Sequence, residues 1–248
     1  MRNIICVSGG LSSAWVALWA IRQNLPDAVF YFNDTKWEHE DLYRFIRECA
    51  DKIGYTLTED SDGRSPEDVF FDSSMLGNNR VPLCSRILKA ERLQKFAQAG
   101  DVVYFGIDNT EAHRAKRIRE VYAPLNITAR FPIIENRIGK DQIRSDVEEL
   151  GIQRPILYDL GFTHNNCSGG CVRSGKKQWI HLLRTLPDVY KERERVESEF
   201  SESFGVNATY MKDMSLAELR RRIEGQQEID FNDDLSASEC IGICNLEN

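Results

Sequence analysis

The chain has 248 residues, 42% of them hydrophobic and 29% charged, and a formal net charge of −7. That balance belongs to a soluble globular protein with one large core, or one core and a small appendage. No apolar run is long enough to span a bilayer, no basic-then-apolar leader opens the chain, and the acidic charge disfavours indiscriminate nucleic-acid binding, so the expectation is a cytoplasmic protein without membrane association.

Residues 2–7 read as a buried strand and 13–23 as a mostly apolar helix. Ser8-Gly9-Gly10-Leu11-Ser12-Ser13 therefore occupies a strand-to-helix turn. Residues 28–33 read as a second strand. An amphipathic helix over 38–53 follows, with Leu42, Phe45, Ile46, Cys49 and Ile53 on one stripe. Residues 55–58 form a short strand candidate, 85–98 a helix, 102–107 an apolar strand and 111–121 a basic helix. Residues 131–134 read as a strand end. Residues 139–150 read as a helix with Ile143, Val147 and Leu150 inward. After about Gly161 the pattern changes to loop, cysteines and helices. Ser215 and Glu218 have capping-box spacing for a helix reaching 224. The last twenty or so residues are polar and acidic.

Strands alternating with helices predict an α/β fold: a Rossmann-like parallel sheet with helices on both faces. The expected division is a nucleotide-binding domain over 1–160, with a cysteine-containing helical region and irregular tail over 161–248 packed on it. Ligands of such sheets sit beyond the carboxyl ends of the strands. The Ser8 turn, Asn33-Asp34-Thr35 and Gly106-Ile107-Asp108 all fall there.

At the Ser8 turn, backbone N–H groups and a helix N-terminus converge, which suits a phosphate or pyrophosphate. Gly9 and Gly10 allow close approach, and Ser8, Ser12 and Ser13 add hydroxyls. An ordinary tight turn is the plainer reading. Asp34 suits an adenine amino group, a ribose or a metal-bound water, or else caps the next helix. Arg114 is the candidate to grip an oxyanion with its fork. His113 reads as structural or solvent-facing. Arg220, Arg221 and Arg222 read as a solvated face.

Of seven cysteines, Cys6 and Cys49 lie on a strand and an apolar stripe and read as core. Cys84, Cys167, Cys171, Cys240 and Cys244 remain. In the cytosol such residues are buried, metal-bound or catalytic more often than disulfide-bonded. Four thiolates suit an Fe–S cluster or Zn²⁺.

The Ser8 turn resembles the pyrophosphate loop, Ser-Gly-Gly-x-Asp-Ser, of the adenine nucleotide α-hydrolase superfamily, with Ser12 in place of Asp. Phe32-Asn33-Asp34-Thr35 is similar to the Asp-Thr strand end lining the adenosine pocket of phosphoadenosine phosphosulfate (PAPS) reductases. Cys84, Lys89, Glu91 and Leu93 fall in register with the Cys-Cys-x-x-Arg-Lys-x-Glu-Pro-Leu stretch of iron–sulfur adenosine phosphosulfate (APS) reductases. Ser85 replaces their second cysteine there. The 106–114 segment resembles their Gly-x-x-x-x-(Glu/Gln)-x-x-Arg. Residues 154–171 resemble the segment running into their later cysteine pair, here one residue longer. Glu239-Cys240 looks like a loosened form of their C-terminal Glu-Cys-Gly-Leu-His.

The resemblance, over about 1–180, implies an ATP pyrophosphatase in sulfur transfer. ATP with Mg²⁺ is held by Ser8, Gly9, Gly10, Ser12, Ser13, Asp34, Thr35 and Gly106. Lys89 and Arg114 handle anionic charge. A [4Fe–4S] cluster, or Zn²⁺, sits on Cys84, Cys167, Cys171 and Cys244, with Cys240 as nucleophile, persulfide carrier or fourth ligand. Relatives of this type modify tRNA bases or the DNA backbone, which implies a nucleic-acid acceptor delivered by a partner and a cysteine desulfurase as sulfur donor. A homodimer is left open. The alternatives are an APS or PAPS reductase, in which Cys240 attacks the sulfonate, and a nucleotide-binding protein without catalysis.

Overall fold

A computed structural model describes residues 1–226 and 229. Strands β1 (Asn3–Cys6), β2 (Ala28–Asp34), β3 (Leu57–Ser61), β4 (Val102–Tyr104) and β5 (Thr128–Arg130) form one sheet ordered β3-β2-β1-β4-β5, with every pair parallel. The helices in chain order are α1 (Leu11–Arg22), α2 (Glu40–Ile53), α3 (Pro66–Asp72), a π-helical segment (Ser85–Ala90) continuing into α4 (Glu91–Phe96), α5 (Ala112–Tyr122), α6 (Pro132–Glu135), α7 (Lys140–Glu148), α8 (Ile156–Asp159), α9 (Lys176–Thr185), α10 (Pro187–Phe204) and α11 (Leu216–Glu224). Among the described residues no helix is long and apolar enough to cross a membrane.

β1 is buried throughout, as a central parallel strand covered on both faces must be. Its side chains alternate. Ile5 joins Phe30, Phe32 and the inner stripes of α1, α2 and α7 on one face. Ile4 and Cys6 join Tyr31, Val103, Phe105 and the inner sides of α4 and α5 on the other. A second core gathers α3 and α8 to α11 around Trp179, Tyr190, Phe200 and Tyr210. Trp37, Leu83 and Leu88 connect this helical layer to the loops above the sheet. Cys6 and Cys49 are core residues, as expected.

Three expectations are corrected. Residues 131–134 are not a strand end: β5 stops at Arg130, and Pro132 opens α6, the first-turn position where its missing N–H costs nothing. The helix expected over 85–98 begins as a π-helix. The helix expected from residue 38 begins at Glu40, with the His39 ring accepting the Asp41 N–H, and Glu38 turns inward.

Within the helical layer, Glu197 on α10 is 2% exposed and accepts N–H bonds from Tyr210 (2.8 Å) and Leu216 (2.6 Å). Burial dominates those bonds and lifts its carboxyl from 4.5 to about 7. The folded chain then holds this proton more tightly than the unfolded chain. Its contribution to stability is full below pH 4.5, falls as pH rises to 7 and is flat above. Glu197→Gln removes that segment of the slope, about 3 kcal/mol. Urea midpoints of both proteins at pH 5 and pH 7.5 check this. Parallel changes in the two would refute it.

Candidate functional site

The sheet order places the topological switch between β1 and β4, so the loops after these two strands flank one crevice. The Ser8-Gly9-Gly10 turn lies there. Gly9 has φ +79°, and an added Cβ would meet Leu42 Cγ at 2.5 Å, so the position needs glycine twice over. Gly10 precedes α1 in extended conformation with no side-chain cap, leaving the first N–H groups of a twelve-residue helix free of a capping side chain. Gly106, just after β4, packs against that turn: a Cβ there would stand 2.7 Å from Ser13 N and 2.8 Å from Ser12 C. Ser13 plays an internal part. Its hydroxyl donates to Gly10 O (2.8 Å) and accepts the Ser8 N–H (3.1 Å), which fixes the loop's shape rather than offering a donor to a ligand. Ser12 is half-buried on the first turn of α1.

Asp34, at the carboxyl end of β2, accepts from Tyr43 Oη (2.7 Å) and the Lys36 N–H (2.9 Å), and pairs with Lys36 Nζ at 2.8 Å. Burial alone would raise its carboxyl, but the bonds from Lys36 and Tyr43 outweigh it and hold Asp34 below the usual carboxylate range. Asn33 donates to Tyr31 Oη (3.0 Å), while its Oδ1 is buried with no acceptor role filled among the described residues. Arg114, near the start of α5, is 6% exposed. Its Nη1 pairs with Glu111, and its Nη2 is buried without a partner among the described residues. A buried guanidinium with one half engaged and the other without a partner is chemically suited to an oxyanion. His113 is exposed, as expected.

Cys84, Cys167 and Cys171 line one small cavity together with Thr35 and Lys89. As it stands, this cavity has room for the centre of about one water-sized body (about 10 Å³). Cys167 and Cys171 are hydrogen-bonded to each other. That bond first, then burial and the nearby Glu38 carboxylate, push the Cys167 thiol well above its ordinary value. The turn between them is tightly wound: Cys167, Ser168 and Gly169 have φ of 50°, 54° and 82°. Among the described residues no group of three or more His, Cys, Asp or Glu side chains is arranged to hold a metal ion. Three thiols on one cavity are nevertheless the donor chemistry that a thiophilic metal group takes. Cys240 and Cys244 lie outside the described residues.

Glu38 joins the two halves of the site, and the sequence did not single it out. Its side chain is 2% exposed. It accepts from Thr35 Oγ1 (3.0 Å), Lys89 Nζ (3.2 Å) and the Cys167 N–H (2.7 Å). Asn165, 2% exposed, makes a second link by donating to Gly9 O at 2.9 Å. The glycine turn, the β2 end, Lys89 and the cysteine turn therefore form one connected constellation. Its only sequence trace was the Thr35-x-x-Glu38 spacing, which normally reads as a capping box.

No curated protein matches the chain. Residues 2–165 match the phosphoadenosine phosphosulfate reductase domain, a span that holds the whole sheet, the glycine turn, Arg114 and Asn165. By that match the chain belongs to the phosphoadenosine phosphosulfate reductase domain family, within the adenine nucleotide α-hydrolase superfamily.

Proposed function

We propose that this chain cleaves ATP between the α- and β-phosphates and adenylates an acceptor, preparing it for sulfur insertion. The observation that carries this reading is the uncapped start of α1 behind the Gly9 turn, tied by Asn165 to a cysteine turn. An anion cradle and a thiol cluster joined through hydrogen bonds suit nucleotide activation coupled to sulfur chemistry.

In this reading the polyphosphate lies on the N–H groups of Gly10 to Ser12, and a bound Mg²⁺ would neutralise part of its charge. Arg114 Nη2 faces the charge that builds on the α-phosphate. An acceptor oxygen attacks the α-phosphorus, and pyrophosphate leaves. A sulfur nucleophile then displaces AMP from the acceptor. Cys84, Cys167 and Cys171 would hold a metal group, with Cys240 or Cys244 completing the set. Such a group supplies a sulfur-binding or electron-carrying centre when bound. A nucleic-acid acceptor and a cysteine desulfurase as sulfur donor are the partners this chemistry calls for.

The family match favours a second reading, reduction of APS or PAPS, because the domain takes its name from that reaction. Incubation with each nucleotide separates the two. Pyrophosphate and AMP from ATP support adenylation. Sulfite released from APS or PAPS in the presence of a thiol reductant establishes the reductase instead. Binding without either product leaves a non-catalytic nucleotide protein. Iron and zinc analysis of the anaerobically purified protein belongs in the same experiment. Retention of all metal by Cys167→Ala would remove that residue from the ligand set.

A further inference from the structure

Charged runs in this sequence meet different fates in the fold. Arg193 on α10 is 4% exposed and stacks on Trp37, with Cζ 3.6 Å from the ring centroid. The arginines of α11 stay at the surface but are answered there. Arg220 pairs with Glu194 at 2.9 Å and Glu224 at 3.2 Å, and Arg221 and Arg222 each pair with Glu218 at 2.8 Å. That cluster is the solvated face expected of it. The cluster on α5 differs. His113, Lys116, Arg117 and Arg119 are all exposed. Lys116 is 82% exposed, and its pairing with Glu120, itself 63% exposed, is 3.9 Å long. Such a pair contributes almost nothing to the fold.

Their place in the fold brings these cations to the nucleotide crevice. His113, Lys116 and Arg117 have the spacing that puts three side chains on one helix face. α5 opens shortly after Gly106, which packs on the Ser12–Ser13 backbone of the glycine turn. Lys140, the first residue of α7, is 70% exposed and reaches Asp108 at 3.2 Å, in the same loop after β4. α5 packs on the sheet face of Ile4, and α7 on the opposite face with Ile5. The loop after β4 is therefore flanked by cations from both sides of the sheet. Arg137 and Arg144, before and after Lys140, are exposed too. Residues 112–144 carry eight Lys or Arg against three Asp or Glu, in a chain whose net charge is −7. Of those three acids, Glu135 pairs with Arg130 at 2.8 Å and Asp141 with Arg144 at 2.8 Å.

We infer that the exposed cations of α5 and of the start of α7 form a docking surface for the sugar-phosphate backbone of a nucleic-acid strand. The adenylation reading supplies what the strand does there: it is the acceptor brought to the crevice. The chain's acidic charge does not forbid this, because at physiological salt charges farther than about 8 Å are largely screened. A protein partner fits the surface less well. Protein interfaces centre on buried apolar anchors, and among the described residues of 112–144 the one large apolar side chain that is exposed is Leu125, beyond the far end of α5. Phosphate contacts need charge alone, and they position a strand without reading its sequence.

The test is fluorescence anisotropy with a short labelled single strand, as RNA and as DNA of one sequence, from about 50 to 200 mM salt. Wild type should bind with a Kd of about 10⁻⁴–10⁻⁶ M at physiological salt. Lys116→Gln/Arg117→Gln should flatten the plot of log affinity against log salt by about 1.4, or about 0.7 for each lost phosphate contact. Lys140→Gln should flatten it by about 0.7. Arg221→Gln/Arg222→Gln on α11 should match wild type. Tighter binding of one polymer identifies the acceptor as RNA or DNA. No binding by wild type at the lowest salt would overturn the inference, as would equal slopes in wild type and the α5 double variant. Competition by polyglutamate as effective as that by unlabelled strand would mark the surface as one for acidic proteins instead. Pyrophosphate release from ATP, measured without the strand, separates the two claims. Release without strand binding removes the docking surface and spares adenylation. Strand binding without release spares the surface and removes adenylation.

Discussion

Gly106→Ala should abolish nucleotide binding and cost about 1–3 kcal/mol of stability. The neighbours of the added methyl are backbone atoms of Ser12 and Ser13, so no side-chain rotamer can relieve the contact. Either α1 is pushed from the β4 loop or the loop is pushed outward. Both movements spread the N–H groups that the anion would share. Gly54→Ala is the proper comparison. Gly54 has φ +86° and open space around it, so its alanine variant carries backbone strain without a clash. It should lose about 1 kcal/mol and bind nucleotide as wild type does. Calorimetric titration with ATP and denaturant melts of both variants decide the matter. Wild-type ATP affinity in Gly106→Ala would show that the crevice between β1 and β4 is not the nucleotide site.

Arg114→Ala should lower nucleotide turnover by about 10²–10³-fold, the effect of removing a preorganised donor from developing oxyanion charge. The loss should fall on kcat more than on KM if the free Nη2 meets charge that appears only in the transition state. Arg114→Lys should recover little, because an ammonium cannot keep Glu111 and also reach forward with a second donor. Removing the guanidinium also strands Glu111, whose side chain is 14% exposed. Glu111→Gln therefore isolates that cost. Turnover in Arg114→Ala within threefold of wild type would return this arginine to a purely structural role.

The sheet could be read from the sequence because a parallel strand and its covering helix leave different periods in the chain. The apolar run at Ile4-Ile5-Cys6 and the stripe from Leu42 to Ile53 are of this kind. Loops at strand ends follow from that alternation, so the glycine turn, Asp34 and Gly106 were legible at one end of the sheet from the sequence alone. Phe131 to Ile134 misled because apolar content outweighed Pro132, whose position at a helix start was the better signal. Ser13 was assigned outward from its residue type alone, whereas its direction follows from the loop's own closure. Glu38 and Arg193 were hidden for a related reason. Each is a charge in a charged stretch, and burial came from partners far along the chain. Glu38 meets Lys89 and the Cys167 backbone, and Arg193 meets Trp37 and Gly170. Local sequence carries no record of such encounters. The cysteines were visible individually, and three of them do meet on one cavity.

The π-helical segment from Ser85 to Ala90 has a consequence for how this region is spelled. On an ordinary α-helix Cys84 and Lys89, five positions apart, would point about 140° away from each other. A π turn closes from i to i+5 and brings them to the same side, which is how both reach the same cavity. The widened turn amounts to one residue of slack threaded into an α-helix. A helical wheel drawn through 84–96 therefore scrambles the face that matters, and a relative lacking that one residue would carry the same letters aimed at different neighbours.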